Sequence, residues 1–378
     1  MSKIGIITFH ASDNCGSVLQ AFALQRVLKD KFDTESEIVD FSNEGQKRMY
    51  SPFWKVTGIK SIIKNALWAT VYSDIRKQIE AYKLFRKKYL KLSLNSYCDT
   101  SELVQLNNDY DKFITGSDQV WNIKCLDADE AYYLSFADDE KKYAYAVSFG
   151  ANNPFICEDG KRYLELVKKF KKISVREKNA QKWTNNVLSQ EIKICLDPTL
   201  LLDENDWNYC IDIGEKPIVE KKYIFYYCFS ITQPIARFLH MVSRKYNLPV
   251  YFLEPKEWAL RCCWKNGIKL VGKYGPEVFL NLMKNAEIIF TTSFHGTVFS
   301  TIFHKKFWYI DSGSNDPEKD DRAISILSQL GLSERYKTID WLANAELDGN
   351  LDYTQTDKRL KRLKEESFEF LKEIIDEK

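Results

Sequence analysis

Four histidines occur in the chain, and one of them stands where a proton-transfer group would be useful. His295 lies in Ser293-Phe294-His295-Gly296-Thr297, directly after the apolar run IIFTT and directly before a segment with helical character from Thr297 to Phe303. A site between the carboxyl end of a strand and the amino end of a helix is reached by the positive end of the helix dipole. That end favours bound anions and a neutral, proton-accepting imidazole. His240 and His304 read as structural, inside a helix and at a helix end, and His10, before the first loop, is a weaker second candidate. In ISVREKNA, Arg176 and Glu177 close another short strand, and alternation sends them to opposite faces. Arg176 is therefore placed either to hold a carboxylate or phosphate in a cleft or to make a plain ion pair within the chain.

Two further loops carry polar groups after apolar runs. In FHASDNCGS, Asp13 and Asn14 either meet a sugar hydroxyl beside the helix amides around Gly16 and Ser17, or simply cap that helix. In ITGSDQVWN, Ser117, Asp118, Gln119 and Asn122 suit hydrogen bonding to sugar hydroxyls. Trp121 suits stacking on a pyranose face, with a core tryptophan as the alternative. Asp197, ahead of Pro198, reads as a turn former. There is no HExxH or HxxxH spacing, no GxSxG, no CxxC and no GxGxxG, so metal chemistry, a serine-hydrolase triad and a dinucleotide fingerprint are not expected.

These loops need a scaffold that ends many strands on one side. KIGIITF, EIVDF, the strand of YDKFITG, KYAYAV, ISVRE and EIKIC alternate with helical periods, which predicts parallel βαβ units with ligands beyond the carboxyl ends of the strands. Residues 44–95 break the rhythm as a helical insertion. Its second helix, about 75–92, has a basic face that is either solvated or docks on an acidic polymer or membrane surface. Polar sequence near 206–221 marks a boundary. The same alternation then returns through KKYIFYYCF, a helix at 234–246, PVYFLE, EVFLNLMKNA, IIFTTSF and FWYID. The expected fold is thus α/β, with two Rossmann-like parallel-sheet domains facing a cleft: 1–210 on the acceptor side, 221–345 on the donor side. A terminal helix, 355–378, carries Leu360, Leu363, Leu371 and Ile374 on one stripe and packs back across them.

Composition narrows the class. The 378 residues are 44% hydrophobic and 29% charged, as in a globular protein. A formal charge of +2 provides no global field for nucleic acid, so any anion site must be local. Nine scattered cysteines suggest reduced thiols and a cytoplasmic protein, and no stretch approaches the roughly 18 apolar residues of a membrane span.

Taken in order, DNCGSVLQAFALQ (13–25), FITGSDQVWN (113–122), SFGAN, SVREKNA, LDPTLL (196–201) and GPEVFLNLMKNAEIIFTTSFHGTVFS (275–300) resemble the polysaccharide pyruvyl transferases. The resemblance runs over about residues 3–335 and implies a GT-B-like fold. It also implies phosphoenolpyruvate as donor substrate, no further cofactor and no metal. The reaction implied is transfer of a pyruvyl group to two hydroxyls of a sugar, making a ketal in bacterial capsular or exopolysaccharide synthesis. His295 would be the acid/base and Arg176 would hold the departing anion. Ser293, Gly296, Thr297, Lys273 and Arg322 would bind the donor. Asp13, Asn14, Ser117, Asp118, Gln119, Trp121 and Asn122 would face the acceptor, a lipid-linked or nucleotide-linked sugar. Members of that family often carry arginine two residues before this histidine, where Ser293 stands here, so the missing charge must come from elsewhere. The rival readings are a glycosyltransferase of the same architecture, with Glu254 as its ribose ligand, and a sugar-binding protein without catalysis.

Overall fold

The computed structural model describes residues 3–311, 321–347 and 351–377. Strands β1 (Ile4–Ile7), β2 (Ser36–Phe41), β3 (Leu92–Tyr97), β4 (Lys112–Thr115), β5 (Lys142–Val147), β6 (Lys172–Val175) and β7 (Lys193–Ile194) make one sheet, ordered β3-β2-β1-β4-β5-β6-β7. Strands β8 (Ile224–Tyr227), β9 (Val250–Phe252), β10 (Ile268–Leu270), β11 (Ile288–Thr291), β12 (Phe307–Asp311) and β13 (Tyr336–Thr338) make a second, ordered β10-β9-β8-β11-β12-β13. All pairings between these strands are parallel. The apolar runs explain this: β1, β4, β5, β8 and β11 are buried at every residue, as strands covered on both faces must be.

Each sheet reverses its winding once, between β1 and β4 in the first and between β8 and β11 in the second. In open parallel sheets the gap outside such a reversal is where ligands sit. The first helix, Cys15–Phe32, starts at this gap because Asn14 caps it, its side chain accepting from the amides of Gly16 (2.8 Å) and Ser17 (3.3 Å). It stops at Asp33, which takes the left-handed conformation.

The insertion consists of helices Glu44–Met49, Ile59–Ala69 and Tyr72–Tyr89, but its end is not helical. Residues 92–97 add β3 as an edge strand, which the mixed sequence LSLNSY signals poorly because it is only half covered. Two short elements in the second half, the helix Pro255–Leu260 and β10, were likewise invisible in the hydrophobic periodicity.

One apolar cluster runs through both halves. At its centre Trp207 packs with Phe22 of the first helix (5.8 Å) and Phe299 of the helix behind β11 (5.2 Å). The terminal helix, Thr354–Asp376, spans the two halves as a clasp. Asp357 near its start pairs with His304 at 2.9 Å. Near its end, Lys112 Nζ donates to the carbonyls of Ile374 (2.7 Å) and Ile375 (2.8 Å). Between these, Ser367 Oγ accepts from the amide of Leu196 at 3.0 Å. Of its predicted stripe, Leu371 and Ile374 are fully buried, and Leu360 and Leu363 are partly so.

Candidate active site

The chain segments leaving β1, β4, β6, β8 and β11 converge on a cleft of about 190 Å³ between the halves. Asn14, Asp118, Gln119 and Arg176 line it from the first half. Cys228, Phe229, Thr292, Ser293, Phe294, His295, Tyr309, Arg322 and Ala323 line it from the second. A larger hollow, about 300 Å³ beside Phe22, Lys29 and Lys91, lies at the amino ends of β2 and β3, away from both winding reversals.

His295 is the second residue of the helix Phe294–Ile302 and is nearly buried. Its ring lies directly against Gly16: a Cβ there would fall 2.1 Å from Nδ1. The glycine of the first loop is thus required by the imidazole of the second half. Gly296 is required by close packing of that helix on its own strand, since a Cβ would meet Thr291 Oγ1 at 2.1 Å. The first amides of a helix have no partner within it, this helix has no side-chain cap, and Ser293, Phe294 and His295 at its amino end line the cleft.

Asp197 ties the charged groups together. Its Oδ2 accepts from Arg176 Nη1 at 2.7 Å and Ser117 Oγ at 3.2 Å, and faces His295 Nε2 at 3.5 Å. Its Oδ1 takes the amide (3.0 Å) and hydroxyl (2.6 Å) of Thr199. Burial alone would raise its pKa, but His295, Arg176 and Thr199 together hold it well below the usual carboxylate range. Arg176 also stacks its guanidinium on Phe294, 4.1 Å from the ring centre, and lies 3.7 Å from Asp118 Oδ1. Arg176 is thus an ion-pair partner of Asp197 whose side chain also lines the cleft.

Behind Arg176, Glu177 is fully buried, and neither carboxyl oxygen has a hydrogen-bond partner among the described residues. Burial pushes its pKa up to about 7, against the opposing pull of Arg176. Across the cleft Arg322 Nη1 donates to Gln119 Oε1 at 3.2 Å. Ser17 Oγ donates to Asp118 Oδ2 at 2.5 Å. Asp13, its pKa raised by burial despite Arg86, accepts from Arg86 Nη1 at 3.0 Å. Asp127, another buried acid beside this end, is pushed by desolvation to about 6.

Several residues read as facing a substrate are placed elsewhere. Trp121 is fully buried, donates Nε1–H to the Tyr132 carbonyl (3.0 Å) and stacks on Tyr133 at 5.3 Å, so its ring serves the core. Ser117 is buried and spends its hydroxyl on Ala146 O (2.7 Å) and Asp197. Thr297 is buried too, its Oγ1 near the Ser293 carbonyl at 3.3 Å, one turn back. Asn122 supports rather than lines the cleft, donating to Gln119 Oε1 at 3.1 Å. Lys273 is exposed after β10, an edge strand three positions from β11, and does not line the cleft. Glu254 is held by Gln78 of the insertion (3.2 Å). Sequence reasoning missed Asp197 as the organising acid; its position just beyond β7, at a strand's carboxyl end, was the available signal.

Two parallel α/β sheets with a cleft at both winding reversals and a terminal helix crossing back define the GT-B architecture. The match to the polysaccharide pyruvyl transferase family covers residues 14–314, and the chain belongs to that family. Among curated proteins none matches it. Among solved structures it is similar to UDP-GlcNAc 2-epimerase from Neisseria meningitidis bound to UDP-GlcNAc, with a TM-score of 0.52 and 9% identity, covering 99% of this chain and 94% of that one. Anabaena Alr3699/HepE, in complex with UDP and glucose, gives 0.52 at 9% identity over 99% and 100%. S. aureus MnaA, solved with UDP, gives 0.50 at 14% identity over 100% and 99%. At such identities the likeness is one of fold.

Proposed function

We propose that the chain transfers a pyruvyl group from phosphoenolpyruvate to two hydroxyls of one sugar, forming a pyruvate ketal during synthesis of a bacterial surface polysaccharide. The observation that carries this reading is the assembly, in a chain of this family, of His295, Arg176 and an uncapped helix amino end in one cleft, with Arg322 opposite. The donor bears a carboxylate and a phosphate on a three-carbon skeleton and needs two separate anion pockets. Arg176 with the helix amides forms one; Arg322 provides the charge that Ser293 cannot.

In the proposed reaction the donor's methylene takes a proton, leaving an oxocarbenium-like carbon. One sugar hydroxyl adds and loses its proton, phosphate departs, and the second hydroxyl closes the ketal with loss of its own proton. The products are the ketal and inorganic phosphate. His295 is the acid/base, and the Asp197 carboxylate facing Nε2 at 3.5 Å stabilises the ring while it carries the proton. Arg176 holds the leaving phosphate. Asp13, Asp118 and Gln119 offer acceptors to the sugar hydroxyls. Phosphate release from phosphoenolpyruvate, dependent on an added sugar and coupled to an acid-labile mass gain on it, tests the proposal. Donor left intact by every galactoside and mannoside, carrier-linked or free, would contradict it.

A further inference from the structure

Outside the cleft, the insertion turns apolar side chains to solvent in an ordered way. On the helix Ile59–Ala69, Trp68 and Ser61 face inward, whereas Ile59, Ile62 and Ile63 are 76%, 54% and 56% exposed. Val56 before it is 60% exposed, and Phe53 stacks on Tyr72 at its edge, 5.4 Å between rings. The loop carrying Phe53 and Val56 is held to the helix by paired bonds between Asn65 and the Trp54 backbone, 2.9 and 2.8 Å. This is a built face, not a stray residue, and its spacing of three and four is that of an apolar helical stripe.

Charge identifies what covers it. From Ser51 to Ser73 the chain has Lys55, Lys60 and Lys64 and no acidic residue, and from Ser51 to Leu90 nine Lys or Arg stand against Asp74 and Glu80, in a chain whose net charge is +2. Two copies meeting through this face would bring like charges together. An anionic bilayer complements it: an amphipathic helix lies in the headgroup plane with apolar residues inserted, aromatics at the boundary and lysines on phosphates. We infer that the face formed by Phe53, Val56, Ile59, Ile62 and Ile63 docks the protein on the surface of an anionic lipid bilayer. The basic helix Tyr72–Tyr89 is secondary, because it buries Ile75, Gln78, Tyr82 and Phe85 and turns Arg86 to Asp13. Lys256 of the second half, whose charge acts on Asp13, donates to Ser51 O at 2.7 Å, two residues before Phe53. Delivery of a lipid-linked sugar there rests on the proposed function; docking itself does not.

The test is co-sedimentation of the full chain with mixed phosphatidylglycerol–phosphatidylcholine vesicles and with phosphatidylcholine vesicles, without substrate. Binding is expected to the anionic vesicles, to weaken in about 1 M salt, where screening acts within roughly 3 Å, and to be marginal on the neutral ones. Ile62→Ser/Ile63→Ser should lower partitioning about tenfold or more with unchanged circular dichroism and thermal unfolding, since both side chains already face solvent. Lys55→Gln/Lys60→Gln should weaken the anionic preference. Absence of binding, equal binding by parent and isoleucine variant, or a dimer in sedimentation velocity that this variant dissociates would overturn the inference.

Discussion

His295 and Arg176 meet at Asp197, and changing each of the three should have a different consequence. His295→Asn should retain the fold and lower turnover by about 10²- to 10⁴-fold, measured as phosphate release. Arg322→Gln should chiefly raise the donor KM, by roughly 10- to 100-fold, the worth of a charged hydrogen bond. Asp197→Asn leaves Arg176 without its buried partner and should destabilise by about 3–5 kcal/mol in denaturant unfolding as well as slowing turnover. Glu177 gives a pH signature. Its folded-state pKa of about 7 lies above the ordinary glutamate value of 4.5, so the folded protein binds this proton more tightly than the unfolded chain. Its contribution is most favourable below about pH 4.5 and is lost as pH rises toward and through about 7. Glu177→Gln should therefore unfold at higher denaturant than the parent at pH 8, by up to about 3 kcal/mol, with the difference shrinking as pH falls and disappearing below about pH 4.5. A variant equally displaced at both pH values would show that this carboxyl does not titrate there.

At the scale of elements, the core that joins the halves is as specific as the site. Trp207→Ala opens a void between the first helix and the helix carrying His295, and should cost about 3–5 kcal/mol in unfolding free energy. The strongly periodic elements were legible in sequence, namely β1, the first helix, β8, β11 and the terminal stripe. Their pattern is set by burial on both faces or along one stripe. β3, β10 and β13 were not, because edge strands of three to six residues, partly exposed, carry little periodicity. His295 and Arg176 could be picked out because they follow strand ends. Asp197 was passed over because its local sequence, ahead of proline, gives a sufficient turn explanation, and its partners are distant in the chain. Trp121 shows the converse: a loop rich in polar residues suggested an exposed ring, whereas Tyr132 and Tyr133, about a dozen residues on, bury it.

For the molecule as a whole, the two halves assemble one cleft, His295 from one side against Gly16 and Arg176 from the other. A ligand binding both halves stabilises the folded chain by mass action, about 2.7 kcal/mol at a hundredfold excess over Kd. Phosphoenolpyruvate should therefore raise the melting temperature of the parent far more than that of Arg322→Gln. The most direct measurement is incubation of the purified protein with phosphoenolpyruvate and a panel of galactosides and mannosides, free and carrier-linked, following phosphate and the mass of the sugar. Sugar-dependent phosphate release matched by an acid-labile adduct on that sugar is expected. Consumption of a nucleotide sugar with phosphoenolpyruvate left untouched would contradict it.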